Sequence, residues 1–403
     1  MRSADAELAA RDPALPGLPV LLDDAVLTRW LTERGLGPAR RRYLRYKPGT
    51  NCLLGLDLAG DGGPRAAVLT TWAPGRSRKL DRARAAAPPG AVLAADEELG
   101  LLLTAPCADL RLPAVAALAR DPGVLAGLLP GVDLTAARLT PLRHKPARRW
   151  VARLAGPDLE PVLLRAHRPE VSAGLHAALA ALGTPAVRTP RLLGGDPALG
   201  LSILEWLPGR ALPEVDAGER PGQLRATGRA LARLHQHPAP DLRHRGRDEV
   251  LAAARSAAAQ VGALLPGEAA RAAELAERVA ARLRGPADLR VCHGDFSADQ
   301  VVVGPDGPAL ADLDEVALDD PAVDLASSTA AARLDGGRAG RPEDAAALLG
   351  GYATVRSLPS ARLLAAHTAA ALLRRAPEPF RLTAPSWPEG VRAALAAAED
   401  ELS

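Results

Sequence analysis

Apolar positions change rhythm along this chain. Through residues 143–167 short apolar runs alternate with polar turns, the spacing of strand, turn, strand, turn, strand. A helix is expected over 171–182. Leu201-Ser-Ile-Leu-Glu-Trp-Leu-Pro-Gly-Arg-Ala-Leu212 reads as an apolar strand running into a Pro-Gly turn. Beyond residue 213 the period lengthens to that of helices. Residues 224–235 place Leu224, Gly228, Leu231 and Leu234 or His235 on one face. Further amphipathic or alanine-rich stretches predict helices over 250–265, 269–283, 321–333, 344–352, 361–373 and 390–402.

One stretch breaks the helical run. Residues 289–292 read as a short apolar strand, and His293-Gly294-Asp295 leaves it in a tight bend eased by glycine. Residues 301–303 form a second, β-branched strand. Gly304-Pro-Asp-Gly307 is turn chemistry, and 308–311 form a third strand with Asp312 at its end. Asp295 and Asp312 therefore flank a hairpin and can face one cavity. Two such acids suit a site where one holds a hydroxyl and the other a metal-nucleotide. Gln300 offers an amide carbonyl that can ligate a hard cation. Asp299, Asp314 and Glu315 are further acids beside it, and each either helps there or is simply solvated.

The front half repeats itself. Arg45-Tyr-Lys-Pro-Gly-Thr-Asn-Cys-Leu-Leu-Gly-Leu56 matches Arg143-His-Lys-Pro-Ala-Arg-Arg-Trp-Val-Ala-Arg-Leu154. Asp96-Glu-Glu-Leu-Gly-Leu101 matches Asp196-Pro-Ala-Leu-Gly-Leu201, and Arg111-Leu112-Pro113 matches Arg210-Ala211-Leu212-Pro213. The offset stays near roughly one hundred residues, which points to duplication. The first copy has Thr104-Ala105-Pro106 where the second has its Glu205 segment, and Thr71 is expected in the place of Arg165.

Composition narrows the function classes. The chain has 403 residues, 48% hydrophobic, enough for a sizeable core in two or three domains. Lys, Met, Phe and Tyr are scarce while Ala, Leu, Arg, Pro and Gly dominate, a bias that resembles a GC-rich coding sequence. The formal charge is only +3, and no dense basic tract carries interleaved aromatics, so nucleic acid is not expected as a partner. The three cysteines are far apart, which argues against a disulfide framework or a Cys-x-x-Cys zinc site. The N-terminal residues are polar, without the apolar core of a signal peptide, and no apolar run reaches spanning length. No membrane association and a cytoplasmic location are expected. The pattern leaves the oligomeric state open.

His293-Gly294-Asp295, Asp312, Asp320-Pro321 and Asp324-Leu325-Ala326 occur in an order and spacing that resemble the aminoglycoside phosphotransferase family, part of the protein-kinase-like superfamily. Gln300 stands where that family usually has Asn. The resemblance covers about residues 140–375 directly, and 40–118 only through the repeat. It implies an α+β, bilobal protein-kinase-like fold with a degenerate duplicated small-lobe region at the N-terminus and a mostly helical large lobe. The expected division is 1–130 cap region, 131–213 small lobe and 214–403 large lobe.

The resemblance also implies roles. Asp295 would orient the acceptor hydroxyl and take its proton. Asp312 and Gln300 would hold Mg²⁺ on the nucleotide, ATP or GTP. The backbone of Glu205, Trp206 and Leu207 would form the hinge against the base. His293 is read as a structural residue, and Asp324 as a brace on the loop or a helix cap. The family's phosphate-pairing Lys is replaced by Arg165, longer and planar, with Arg148, Arg149, His167 and Arg168 nearby. The helix after it, over 171–182, holds no acid, and Glu170 precedes it. Two readings follow. One is a kinase for a sugar-, aminoglycoside- or amino-alcohol-like small-molecule acceptor. The other is a weakened pseudokinase that regulates or scaffolds. The first copy is either a cover like the N-terminal cap of maltokinases or a structural remnant. The proline-rich stretch 376–388 is expected to pack on the core rather than form a lid.

Overall fold

The computed structural model describes residues 3–60, 63–73, 77–157, 159–184, 186–285, 287–334 and 342–403. The chain divides into two compact units. The first takes in Met1–Ala173, Leu193–Leu204 and Phe380–Pro385. The second takes in Gly174–Leu192, Glu205–Pro379 and Ser386–Ser403.

The first unit opens with helices α1 (Ser3–Arg11), α2 (Leu18–Leu22) and α3 (Asp24–Thr32). Strands β1 (Ala39–Lys47), β2 (Asn51–Leu58) and β3 (Arg65–Trp72) follow, then α4 (Ser77–Ala86), β4 (Val92–Asp96) and β5 (Leu101–Thr104). The pattern then recurs. Helices α5 (Pro113–Arg120) and α6 (Val124–Leu128) precede β6 (Arg138–Lys145), β7 (Arg149–Gly156) and β8 (Leu159–His167). Helix α7 (Pro169–Leu182), β9 (Leu192–Asp196) and β10 (Leu201–Glu205) complete it. The two five-stranded sheets have the same order, β1-β2-β3-β5-β4 and β6-β7-β8-β10-β9. The duplication read from the sequence is thus a duplicated sheet.

Local chemistry repeats with it. The Asp96 carboxylate accepts from the Leu99 N–H at 3.1 Å, and Asp196 accepts from the Leu199 N–H at 3.1 Å. Each turn ends in a left-handed glycine, Gly100 (φ 60°) and Gly200 (φ 75°). A side chain at either would strike the backbone oxygen of Trp72 or His167. One register detail differs from the sequence reading. Leu53 on β2 pairs with Thr70, while its counterpart Val151 on β7 pairs with Arg165. Thr70, not Thr71, therefore stands in the place of Arg165, because pairing register fixes equivalence where aligning the ends of two apolar runs slips by one.

Alternation places the core of the second sheet. Trp150, Ala152 and Leu154 on β7 and Val162, Leu164 and Ala166 on β8 are buried together. Leu112, Ala114, Val115, Leu118 and Leu125, around α5 and α6, pack into this same cluster. No apolar period in the sequence marks these short helices, whose few turns give little periodic signal.

The second unit carries small strands among helices. Strand β11 (Arg210–Ala211) precedes α8 (Arg220–Leu234), α9 (Arg247–Leu264) and α10 (Ala269–Arg282). Strands β12 (Arg290–Cys292), β13 (Val301–Gly304), β14 (Gly307–Leu310) and β15 (Ala317–Asp319) follow. Then come α11 (Ala322–Leu334), α12 (Pro342–Ala353), α13 (Ala361–Arg375), α14 (Glu378–Arg381) and α15 (Trp387–Glu401). Helix α15 begins three residues before the sequence reading because Pro388 sits in its first turn, where a missing N–H costs nothing. Phe380 and Trp387 are buried, as expected of packed rather than lid-forming residues.

The core of this unit joins Leu224, Leu231 and Leu234 of α8 to Phe296, Val301, Leu310, Leu325, Leu348 and Tyr352. Helices α8 and α12 approach closely through glycines. A methyl group at Gly228 would come within 2.1 Å of the Leu348 oxygen, and one at Gly351 within 2.0 Å of the Arg225 oxygen. Both obstacles are backbone, so the helices would have to separate. Gly228→Ala is therefore expected to destabilise the protein by about 1–3 kcal/mol despite its better helix propensity. A chemical-denaturation midpoint equal to or above that of the wild type would refute this crossing.

Candidate active site

The His293-Gly294-Asp295 loop is held from several sides. Strand β12 pairs antiparallel with β15, Cys292 opposite Ala317, and the chain leaves the pair at His293. Gly294 has φ 92°, and a side chain there would lie 2.2 Å from the Glu315 oxygen. The Asp324 carboxylate, in the first turn of α11, accepts from the backbone N–H of both His293 and Gly294 at 2.7 Å. The His293 ring places Nε2 2.7 Å from the Ala311 oxygen, to which it donates. Arg245 donates to the Gly294 oxygen at 2.9 Å and to Asp319 at 2.6 Å.

Asp324 is fully buried, and His235 Nε2 lies 3.0 Å from it. The other ring nitrogen of His235 meets the Tyr352 hydroxyl at 2.8 Å. Burial pushes the Asp324 carboxyl up. The bond and charge of His235, the charge of His293 and the Gly294 N–H outweigh it and hold the group below the usual carboxylate range. Asp324 is thus the brace that the sequence suggested.

Asp295 emerges from this loop half-buried. Its Oδ1 accepts from Nη2 of Arg374 at 2.8 Å. Arg374 lies near the end of α13, and sequence reasoning missed it. An arginine closing an alanine-rich helix looks like a solvated helix end, and no local pattern ties it to a loop so far upstream.

The β13–β14 hairpin brings Asp312 and Gln300 to one end. Val301 pairs with Leu310, and the Ala311 N–H donates to the Gln300 backbone oxygen at 2.8 Å. Asp312 is left-handed, φ 63° and ψ 48°. Such a conformation costs a non-glycine residue about 1–3 kcal/mol and persists where surroundings impose it. The Gln300 side chain turns back, its Oε1 accepting from the Ser297 N–H at 3.1 Å. Gln300 therefore caps its own loop, and its amide oxygen keeps a second lone pair. Nearby, burial raises the Glu315 carboxyl, Arg245 opposes this, and the negative charge of Asp295 adds to it.

In the first unit, Arg165 is buried in β8 with 4% exposure, on the strand face opposite Leu164 and Ala166. Glu170, at the start of α7, is engaged by Arg168 at 2.9 Å. In the second unit, the Glu205 N–H donates to the Arg191 oxygen at 2.9 Å. Its carboxylate accepts from Arg188 Nη1 at 3.0 Å, from Arg188 Nη2 and from Arg191 Nε at 3.2 Å. Trp206 and Leu207 follow, half-buried. The Pro208-Gly209 turn then presses on β13, where a side chain on Gly209 would meet the Val303 oxygen at 2.3 Å. Arg210 pairs with Val303, so the segment after β10 is tied to the Asp312 hairpin.

A protein-kinase-like fold is what these elements define, with a paired-acid loop and hairpin set in a mostly helical unit. The family model described as "Phosphotransferase enzyme family" matches residues 136–364, and the chain belongs to that family. It is a phosphotransferase. The fold resembles a choline/ethanolamine kinase family protein from Mesorhizobium loti, with TM-score 0.51 and 19% identity over 72% of this chain and 94% of that one. It resembles choline kinase from Cryptosporidium parvum with TM-score 0.51 and 10% identity, covering 69% and 93%. The GDP and kanamycin complex of APH(2")-IIia gives TM-score 0.50 and 14% identity, covering 70% and 98%. No curated protein matches the chain. Among the described residues, no helix is long and apolar enough to cross a membrane.

The Glu205 fork has a pH signature. Hydrogen bonds from Arg188 lead in lowering its carboxyl from 4.5 to about 2. A lowered folded value stabilises above the unfolded value and is lost as pH falls. Glu205→Gln should therefore be less stable than the wild type at neutral pH, by on the order of 1 kcal/mol because both arginines are solvated. The gap should close as pH falls from 4.5 toward 2. A gap independent of pH in denaturation experiments would contradict this.

Proposed function

We propose that this protein transfers the γ-phosphate of ATP or GTP, with Mg²⁺, to a hydroxyl of a sugar-, aminoglycoside- or amino-alcohol-like small molecule. The observation that carries this reading is the pair of acids. Asp295 is presented on a loop fastened by Asp324, and Asp312 is held left-handed at the end of the adjoining hairpin.

In this reading the acceptor hydroxyl lies against the Asp295 carboxylate. Its oxygen bonds to the γ-phosphorus as the bond to the β–γ bridging oxygen breaks. The hydroxyl proton passes to Asp295, and the nucleoside diphosphate leaves. Arg374 holds Oδ1 of Asp295 and so fixes the carboxylate's orientation. A guanidinium there opposes an ammonium placed beside the reacting hydroxyl, so a cationic acceptor would direct its amines elsewhere.

The residues present fit a divalent cation. Asp312 offers a carboxylate from a left-handed position at the hairpin's end, Gln300 offers an amide oxygen, and Glu315 is a buried acid whose carboxyl burial raises, with Arg245 opposing and Asp295 adding to it. Asp312 and Gln300 would hold Mg²⁺, which would neutralise phosphate charge. Arg165 is assigned to the phosphates and the Glu205–Leu207 backbone to the base. The Glu205 side chain is already engaged by its arginines, so its share would be backbone only. The division into a 1–130 cap region, a 131–213 small lobe and a 214–403 large lobe is retained as part of this proposal.

A second reading, a pseudokinase that regulates or scaffolds, is favoured by the Arg165 replacement, by the engagement of Glu170, the acid of α7, with Arg168, and by the capping role of Gln300. Thermal stability with ATP or GTP, with and without Mg²⁺, separates the two, since a ligand of the native state raises the melting temperature. No shift with either nucleotide would favour the pseudokinase.

Asp295→Asn is expected to lower phosphoryl transfer by about 10²–10⁴-fold while nucleotide binding persists. Retained turnover would remove Asp295 from this role. Asp312→Asn is expected to abolish the Mg²⁺ dependence of nucleotide binding measured by calorimetry. An unchanged Mg²⁺ dependence would place the cation elsewhere.

A further inference from the structure

The duplicated sheets share an irregularity. On β1, Arg41 pairs with Leu56 and Tyr43 with Gly55, so Arg42 is an extra residue without a partner on β2. On β6, Pro141 pairs with Ala152 and Arg143 with Val151, so Leu142 is extra in the same way. A bulge of this kind bends its strand and re-aims a side chain, and it recurs beside functional sites. The two bulged residues are equivalent in the repeat, and both line one cleft.

This cleft lies within the first unit. Its volume is about 740 Å³, inside the range of about 300–1,000 Å³ usual for sites of small organic molecules. Strands β1, β2 and β3 of the first copy line it, with β6 and Trp150 of the second and Leu382 just past α14. The copies touch beside it, since a side chain at Gly55 would come 3.0 Å from Cγ of Pro146. Arg165 and the Glu205–Leu207 segment are not among its lining residues, and neither are Asp295, Gln300 and Asp312.

The chemistry of the lining is one-sided. Arg42, Arg65, Arg143 and Lys145 contribute to it, against a single carboxylate, Asp57. That carboxylate already accepts from Nε of Arg42 at 2.6 Å. His144 lines the cleft as well, with 6% of its side chain exposed. Its Nε2 has no hydrogen-bond partner and stands 3.7 Å from Oδ2 of Asp109. Beside these cations are apolar groups in contact with solvent. Leu142 is 50% exposed and Leu382 49%, and both line the cleft. Single exposed leucines need no explanation, but two on one basic recess do.

We propose that the cleft between the two copies of the sheet binds a small organic anion, an apolar body ending in a phosphate or carboxylate. The body lies against Leu142, Leu382 and Trp150, and the head among the arginines. A purely apolar ligand would strip water from the guanidinium groups without replacing it. A bare phosphate would leave both leucines in water. The site takes residues from both copies, so the first copy supplies half of a binding site although it has no acid loop of its own. The assignment stands independently of the nucleotide reading.

The test uses the full chain and the probes octyl phosphate, octanol and octylamine, followed by displacement of the fluorescent anion anilinonaphthalene sulfonate. Octyl phosphate should displace the dye from one saturable site per chain, about tenfold more tightly than octanol or octylamine, as one charge-assisted contact implies. Arg65→Glu and Leu142→Asp, both at exposed positions, should each weaken octyl phosphate about tenfold. Arg362→Glu, the same charge reversal at an exposed position of α13 in the second unit, should leave it unchanged. Octanol binding as tightly as octyl phosphate, an equal loss in Arg362→Glu, or displacement of octyl phosphate by ATP with Mg²⁺ would overturn the site. So would the absence of saturable binding to the wild type. Tighter binding to phosphatidylserine vesicles than to octyl phosphate, weakened by the same two variants, would make this face a membrane contact and overturn the small-molecule assignment.

Discussion

The Asp324 carboxylate carries the second unit's site. Both of its oxygens face backbone N–H groups of the His293-Gly294 bend, and His235 reaches it from α8. A buried carboxylate without such partners would neutralise rather than bond. Here it stays ionised and fastens a loop that no strand or helix ladder supports. Removing one member of a buried charged set typically costs about 3–5 kcal/mol. The position of Asp295 therefore depends on a residue that lies on a different element.

The rest of the site extends this logic. Strands β12 and β15 deliver the bend, Gly294 lets it pass close to Glu315, and Arg245 ties its carbonyl to Asp319. The hairpin of β13 and β14 delivers Asp312, and β11 ties the segment after Glu205 to the same hairpin. Asp295 and Asp312 each follow a short strand whose register is fixed by pairing. Short strands suffice where they are buried, as Val291, Val301 and Leu310 are with Leu231 of α8, Leu325 of α11 and Leu348 of α12.

Duplication gave the first unit two sheets with one design and different wear. Both copies retain the Asp-x-x-Leu-Gly turn, and in both an aspartate accepts from the N–H of the left-handed residue in the first hairpin, Asp12 from Gly49 and Asp109 from Ala147. Only the second carries Arg165, while the first has Thr70 at the matching register. Groups that hold the backbone were kept in both, and the charge was kept in one.

By itself the sequence determined the paired acids, the hairpin between them, the duplicated sheet and most long helices. These follow from local periods and turn residues, which act within a few positions of one another. The spacing of His293, Asp295, Asp312 and Asp324 was legible because one short stretch holds them all. Only tertiary structure decided that Arg374 grips Asp295, that Gln300 turns inward to cap its loop, that Glu205 is forked by Arg188 and Arg191, and that Asp109 latches Ala147. Each of these depends on where a flexible polar side chain ends up. A carboxylate accepts from whichever donor packing brings within about 3 Å, and packing between distant segments leaves no period in the sequence.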